Sequence, residues 1–305
     1  MKAKLGGHGP WYLLLLVSMP SACTQPRDDP PRFVLDERTS IPLDDTLQVR
    51  GGVIGPRGTI FIWTADAVLR IGSPARLLCT GVVMKPIAIS VIASDSTIVI
   101  LDQTLGQLLR SEQDGACEPI GRVHFSVRPH GGVSIGGRWV IAGLDTLGEA
   151  FIAGLTSDFK ASWRRDLPDV FRDPNGPAFW IAPAPEGAVL ASLHVPQDIL
   201  VLDSLGIQKR THRWVPTGIA DSATDWVGLA ALSIGPHLIL AAADLASDRR
   251  RFTILDQKSR AVRDLSLDVS LGFLATNAER HEVLALRRTD RLELVIYHWQ
   301  WQAPR

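Results

Sequence analysis

The chain of 305 residues has little of several things that usually mark a function. It has no charge excess: Lys plus Arg (32) balance Asp plus Glu (32), and the pI is near 7.1. A duplex-binding surface shows a basic surplus, so nucleic acid is excluded as the expected partner. No apolar run approaches the roughly 20 residues a membrane-spanning helix needs. No long stretch repeats its apolar residues at the helical period of 3.6, which argues against an α-helical domain. Tyrosine occurs only at 12 and 297, asparagine only at 175 and 277, and there are three cysteines. What is present is apolar material: 46% hydrophobic against 21% charged residues, enough for a real core and too much for global disorder.

The first 22 residues read as an address. Lys2 and Lys4 give a positive start, Trp11 to Val17 is a short apolar run, and Pro20-Ser21-Ala22-Cys23 follows, the three-part layout of a secretory signal peptide. Ser21-Ala22-Cys23 resembles the bacterial lipobox, in which small residues precede a cysteine that is lipidated and becomes the new N-terminus; Pro20 departs from it, since Leu is preferred there. An ordinary secretory leader is the alternative. No small-x-small cleavage site lies just upstream, and residues 23–31 form a polar, Pro-rich tether, which favours lipidation at Cys23. Attachment would then be through acyl chains alone. Cys79 and Cys117 remain. In an oxidising compartment they can pair, stabilising the fold by roughly 4 kcal/mol in the chain-entropy model, or stand as two buried thiols.

Residues 32–305 are written in strands and turns: runs of four to seven Val, Ile, Leu and Phe residues punctuated by Gly, Pro, Asp and Ser. They divide into six similar units of four strands, starting near residues 52, 86, 132, 177, 227 and 272, a step of about 44 residues, in the range of propeller blades. A Leu-Asp pair closed by glycine recurs at Leu101-Asp102 to Gly106 and Leu202-Asp203 to Gly206, and Leu255-Asp256 repeats its first half. Aspartate suits such turns because its carboxylate bonds nearby amides.

Unit six runs out of chain after Trp299, while Arg32 to Glu37 is a strand with no unit of its own. The N-terminal strand is therefore expected to complete the last unit and close the ring, removing an exposed sheet edge. With leader, tether, period and closure together, the chain resembles the six-bladed β-propeller lipoproteins of bacteria over roughly residues 32–299. That resemblance implies an all-β, six-bladed β-propeller at the cell envelope, in the periplasm or on the cell surface, and says little about activity.

Familiar propeller chemistries find few of their residues. A sialidase-like site needs a Tyr nucleophile, an Arg cluster and Ser-x-Asp-x-Gly-x-x-Trp turns; only Tyr297 is available, inside an apolar strand. A lactonase-like site sets Glu, Asn and Asp around an axial calcium, and two asparagines make that thin. Neither His-Glu-x-x-His, a Gly-x-Ser-x-Gly elbow nor a phosphate loop occurs, and the histidines (124, 130, 194, 212, 237, 281, 298) show no metal-ligand spacing. No metal site is assigned. In a propeller the loops preceding each first strand lie on one face, and here they carry Arg50, Lys85, Arg128, His130, Arg172, Asp173, Asn175, Asp225 and Trp226. As a set these could hold an anionic or sugar-like ligand; singly, each reads as an ordinary polar loop residue. Trp163, Trp180, Trp214 and Trp226 read first as filling between blades and second as a stacking platform.

The expectation is a monomeric, envelope-anchored, non-enzymatic propeller that binds a small ligand or an envelope protein and needs no cofactor. The alternative is a calcium-assisted hydrolase or lyase acting on a small sugar, lactone or peptide. A third reading is a component of a larger envelope complex, using a blade edge or face.

Overall fold

The computed structural model describes residues 32–302, except 73, 93–96, 105, 113–114, 124–126, 136–137, 174–175, 185–186, 216–225, 235–236, 245–249, 257–261 and 266–270. The leader, Cys23 and the tether thus lie outside the described residues.

Six four-stranded antiparallel sheets account for nearly all of it, and each is one blade. Blade 1 comprises Gly51–Ile54, Ile60–Trp63, Val68–Ile71 and Arg76–Leu78. Blade 2 comprises Pro86–Ile92, Thr97–Asp102, Gln107–Ser111 and Cys117–Arg122. Blade 3 comprises Val127–Ile135, Arg138–Asp145, Ala150–Leu155 and Ala161–Asp166. Blade 4 comprises Phe179–Ala184, Gly187–Ser192, Gln197–Asp203 and Gln208–Trp214. Blade 5 comprises Trp226–Ile234, His237–Asp244, Arg250–Asp256 and Val262–Leu265. Blade 6 takes Leu271–Asn277, Glu282–Arg288 and Leu292–Gln302 from the C-terminus, and its fourth strand is Arg32–Pro42 from the N-terminus. The closing strand is longer than its first six residues suggested: it pairs from Arg32↔Gln302 to Pro42↔Glu293, with Arg38 bulged out.

The ring follows from the two-residue period. In the second strand of blade 4, Ala188 and Leu190 join a cluster shared with blade 3, while Val189 and Ala191 join one shared with blade 5. Both faces of that strand are buried, so it reads as a continuous apolar run. Six clusters repeat this arrangement around the circle, and the last joins Ile54, Ile60 and Ile62 of blade 1 to Ala275, Leu284 and Leu294 of blade 6. Each Leu or Ile so buried contributes roughly 1.5–3 kcal/mol. The first strands touch one another in order around the axis, blade 6 against blade 1 included.

The fourth strands face outward and are built differently. Ala161–Asp166 is mostly exposed, as is Gln208–Trp214. Bulges at Ile120, Ser162, Lys209 and Arg38 interrupt the outer strands of blades 2, 3, 4 and 6. Charge and bulging together make these edges poor templates for further strand pairing. Cys79, just past the outer strand of blade 1, is disulfide-bonded to Cys117 at the start of the outer strand of blade 2, with Cα atoms 4.8 Å apart.

The Leu-Asp turns do not mark one register of the repeat. Asp102 ends the second strand of blade 2, whereas Asp203 and Asp256 end the third strands of blades 4 and 5. What recurs is the chemistry: Asp203 Oδ1 accepts the amides of Leu205 and Ile207 at 2.9 and 2.8 Å, and Asp145 Oδ1 accepts those of Leu147 and Glu149 at 2.9 and 3.0 Å.

Candidate binding rim

First strands begin, and second strands end, on one face, called here the rim; the opposite face is the base. Seven of the nine candidate residues are described, and these sit at the rim by chain position.

Arg50, Lys85, His130 and Arg172 are described in full. Arg50 is exposed and its amide donates to the Trp63 carbonyl at 2.8 Å. Gly51 next to it leaves no room for a side chain, because a Cβ there would fall 2.1 Å from the Trp63 ring. Lys85 is exposed; its amide donates to Asp102 Oδ2 at 3.2 Å and its carbonyl accepts the Gln103 amide at 2.9 Å. Arg172 is held by Glu149 at 2.6 Å and Asp169 at 3.0 Å. The Glu149 hydrogen bond, then the charge of Asp169, push its pKa above the ordinary arginine value.

For Arg128, Asp173 and Trp226 the backbone alone is described: Arg128 lies opposite Leu144, Asp173 opposite Gly176, and Trp226 opposite Asp244. Asn175 and Asp225 lie outside the described residues.

The rim is better organised than the loop residues alone suggest. The first strands of blades 2, 3, 5 and 6 each carry one bulged residue near the rim: Ile87, His130, Leu229 and Leu274. A bulge bends the strand and re-aims one side chain. Three of these residues are apolar and one is His130, whose Nδ1 lies 3.1 Å from Gln103 Nε2. Gln103 Nε2 also donates to the Pro129 carbonyl at 3.0 Å. The turn Asp102-Gln103-Thr104 therefore ties the start of blade 2, through Lys85, to the start of blade 3, through Pro129 and His130. Asp102 is 3% exposed, and its Oδ1 also accepts the Thr104 amide at 2.6 Å. Sequence reasoning missed Gln103; its position directly after a Leu-Asp turn was the only signal.

The tryptophans divide. Trp214 is 2% exposed and fills the space between blades 4 and 5. Trp163 lies against Gly154 and Gly206, where a Cβ would come within 2.2 and 2.6 Å of its ring, so it too is filling. Trp180 differs: it is 39% exposed at the rim, with Nε1 donating to the Gly228 carbonyl of blade 5 at 3.0 Å.

Around the axis the six first strands contain no Asp, Glu or Lys. An axial calcium would have to draw its carboxylates from elsewhere. Among the described residues no group of three or more His, Cys, Asp or Glu side chains stands within reach of one metal ion. Asn277 is committed to the base: its Nδ2 donates to the Gly55 carbonyl at 2.9 Å and its Oδ1 accepts the Arg280 amide at 3.1 Å, joining blade 6 to blade 1.

Fold and closure define a six-bladed β-propeller protein. No protein-family model matches the chain, and no curated sequence does. Solved structures do. A Bacteroides fragilis protein described only as exported superposes with a TM-score of 0.57 at 8% identity, covering 90% of this chain and 96% of its own. Virginiamycin B lyase from Staphylococcus aureus gives 0.51 at 13% identity, covering 87% and 99%. A streptogramin B lyase gives 0.50 at 10%, covering 90% and 98%. Identities so low establish shared architecture and no shared chemistry.

Proposed function

We propose that the chain is an exported, envelope-anchored propeller whose rim binds a small ligand or a protein without transforming it. The reading rests on how the charged groups at and around the rim are used. Asp102 holds turn amides, Arg172 is paired with Glu149 and Asp169, Asp145 with Arg164, and Arg287 with Glu37 and Glu293. A general acid needs a carboxyl raised toward neutrality. Asp44, Asp145, Asp158, Asp203 and Glu293 are instead held below the ordinary carboxylate value. These are the electrostatics of a rigid frame. Among the described residues, the rim offers the exposed Trp180 indole, Arg50 guanidinium and Lys85 ammonium for recognition, beside the half-buried Gln103–His130 pair.

The leader and tether support export, and lipidation at Cys23 supports attachment to a membrane; mass spectrometry of the mature N-terminus is the direct test of that part. The likeness to two lyases carries architecture only, and the six first strands themselves contribute no carboxylate for a calcium-assisted mechanism.

A photoreactive residue placed at Trp180 or Lys85 in cells should trap one discrete envelope component. The same group at Arg213, on the outer wall of blade 4, should not. Equal trapping at both sites, or calcium-dependent turnover of a lactone by the purified protein, would overturn the proposal.

A further inference from the structure

Trp180 stands where blade 4 meets blade 5 at the rim. Its neighbour Ile181 packs toward blade 3, against Gly131, so strand alternation turns Trp180 toward blade 5. There its Nε1 donates to the Gly228 carbonyl at 3.0 Å. Gly228 is itself fixed: its amide donates to the Leu193 carbonyl at 2.7 Å, and any Cβ on it would overlap the Gln197 carboxamide. Gln197 is fully buried, with Nε2 donating to the Ser192 carbonyl at 2.7 Å, while its Oε1 is buried and has no partner. Leaving such an acceptor unpaired is costly, so the site favours a ligand that brings donors. His194, exposed, lies beside this group, its backbone bridged to Val227 of blade 5.

The arrangement selects a ligand class. The one polar atom of the indole is committed to the protein, so the surface that Trp180 exposes is aromatic carbon. Among the described residues it is the only exposed large hydrophobic side chain at the rim of blades 4 and 5. It therefore lacks the ring of apolar neighbours that a protein anchor is buried in. The Gly228 backbone, Ser192 and Gln197 that frame it are neutral and hydrogen-bonding. A pyranose ring has the matching form, with C–H bonds on a face and hydroxyl donors around its edge. We propose that Trp180 is the stacking platform of a subsite for a neutral carbohydrate whose hydroxyls hydrogen-bond the polar groups around it. The proposal rests on the reading that the rim binds a ligand, and it names the class of that ligand.

The experiment uses the full mature chain with Cys23→Ser, so that no acyl chain contributes, and the uncharged probes chitotriose, maltotriose and mannotriose. Calorimetric titration reads affinity, and saturation-transfer NMR reads which sugar protons lie against the protein. The result expected is saturable binding of at least one probe through the C–H protons of one sugar face. Affinity should fall by about tenfold in Trp180→Ala, and by less in Trp180→Phe, which keeps an aromatic ring. Leu147→Ala, which removes an exposed apolar side chain elsewhere on the rim, should leave it unchanged. Salt should leave it unchanged too, because stacking on a neutral sugar involves no charge. No saturable binding of any probe, equal binding by Trp180→Ala and the parent, or an equal loss in Trp180→Phe and Trp180→Ala overturns the subsite. The photocrosslink at Trp180 separates this proposal from the reading beneath it. No probe bound but one discrete envelope protein trapped overturns the carbohydrate and keeps the rim as a binding face; no probe bound and nothing discrete trapped overturns both.

Discussion

Single glycines in this fold are placed where an aromatic ring must lie flat against the backbone. Gly51 is paired with Trp63, and Gly154 with Trp163. Phe159 covers Gly121 in the same way, with its ring 2.2 Å from where a Cβ would be. Trp163 also covers Gly206 of the next blade, so one indole seals two sheets. Gly154→Ala should therefore displace Trp163 from both contacts, at a cost of about 1–3 kcal/mol as overpacking. The check is a urea titration together with a red shift of tryptophan emission in the folded variant. Unchanged emission would mean the ring moves without losing its shelter. At this scale the sequence was partly legible. Aspartate in turns could be read because its chemistry is local. Gln103 could not, since its partners Pro129 and His130 lie 26 and 27 residues away. Of the candidate loop residues, Lys85 and His130 are tied to the same turn. Arg172 is neutralised by Glu149, a residue on another turn that spacing alone could not pair with it.

Strands were the most legible elements, because alternation and turn residues are read over four to seven positions, and the period gave all six blades. Their ends were less so: the closing strand runs past Glu37 because Thr39 to Pro42 pair with Ile296 to Glu293 across the seam, a contact invisible in local hydropathy. Charge holds the same seam. Arg287 of the second strand of blade 6 binds both Glu37 of the closing strand and Glu293 of the third, at 2.5 and 2.8 Å. The hydrogen bond from Arg287, then that from Arg291, hold Glu293 below the ordinary 4.5. A carboxyl depressed in the folded state contributes stability above its unfolded pKa and loses it as pH falls through the folded value. The acid limb of the stability curve, below about pH 4.5, should therefore be shallower in Glu293→Gln than in the parent, as read by denaturation midpoints from pH 6 to 3. A parallel acid limb would show that the seam draws no stability from this charge. The disulfide acts between elements too. Cys79 and Cys117 are 38 residues apart and fasten the outer strands of blades 1 and 2 beside the apolar cluster those blades share. Replacing both by Ser should lower stability by about 4 kcal/mol in the chain-entropy model. Peptide mapping without reductant and urea titration with and without it measure this directly; a reductant-insensitive midpoint would count against it.

For the whole molecule the decisive contact is the one between chain ends. Five blades fold from contiguous segments, and the sixth cannot be completed until Arg32–Pro42 is laid beside Leu292–Gln302. Packing alone already joins blade 6 to blade 1 through Ile62, Leu284 and Leu294, and Asn277 adds hydrogen bonds at the base. The strand exchange is thus an additional lock on a ring that side chains also close. The two contributions can be separated, because Arg32 lies directly opposite Gln302, so a short turn can join these positions as a hairpin. A circular permutant joined there and opened within residues 43–50 has the same blades and the same packing, but every blade is then contiguous and the lock is gone. It should keep the parent's far-UV spectrum and unfold faster. Opening the ring would then require only separation of two packed blades, with no strand pulled from a sheet, and native interactions already lost in the transition state govern the unfolding rate. Stopped-flow unfolding in urea gives the comparison. An unfolding rate equal to the parent's would show that side-chain packing between blades 6 and 1 holds the ring by itself.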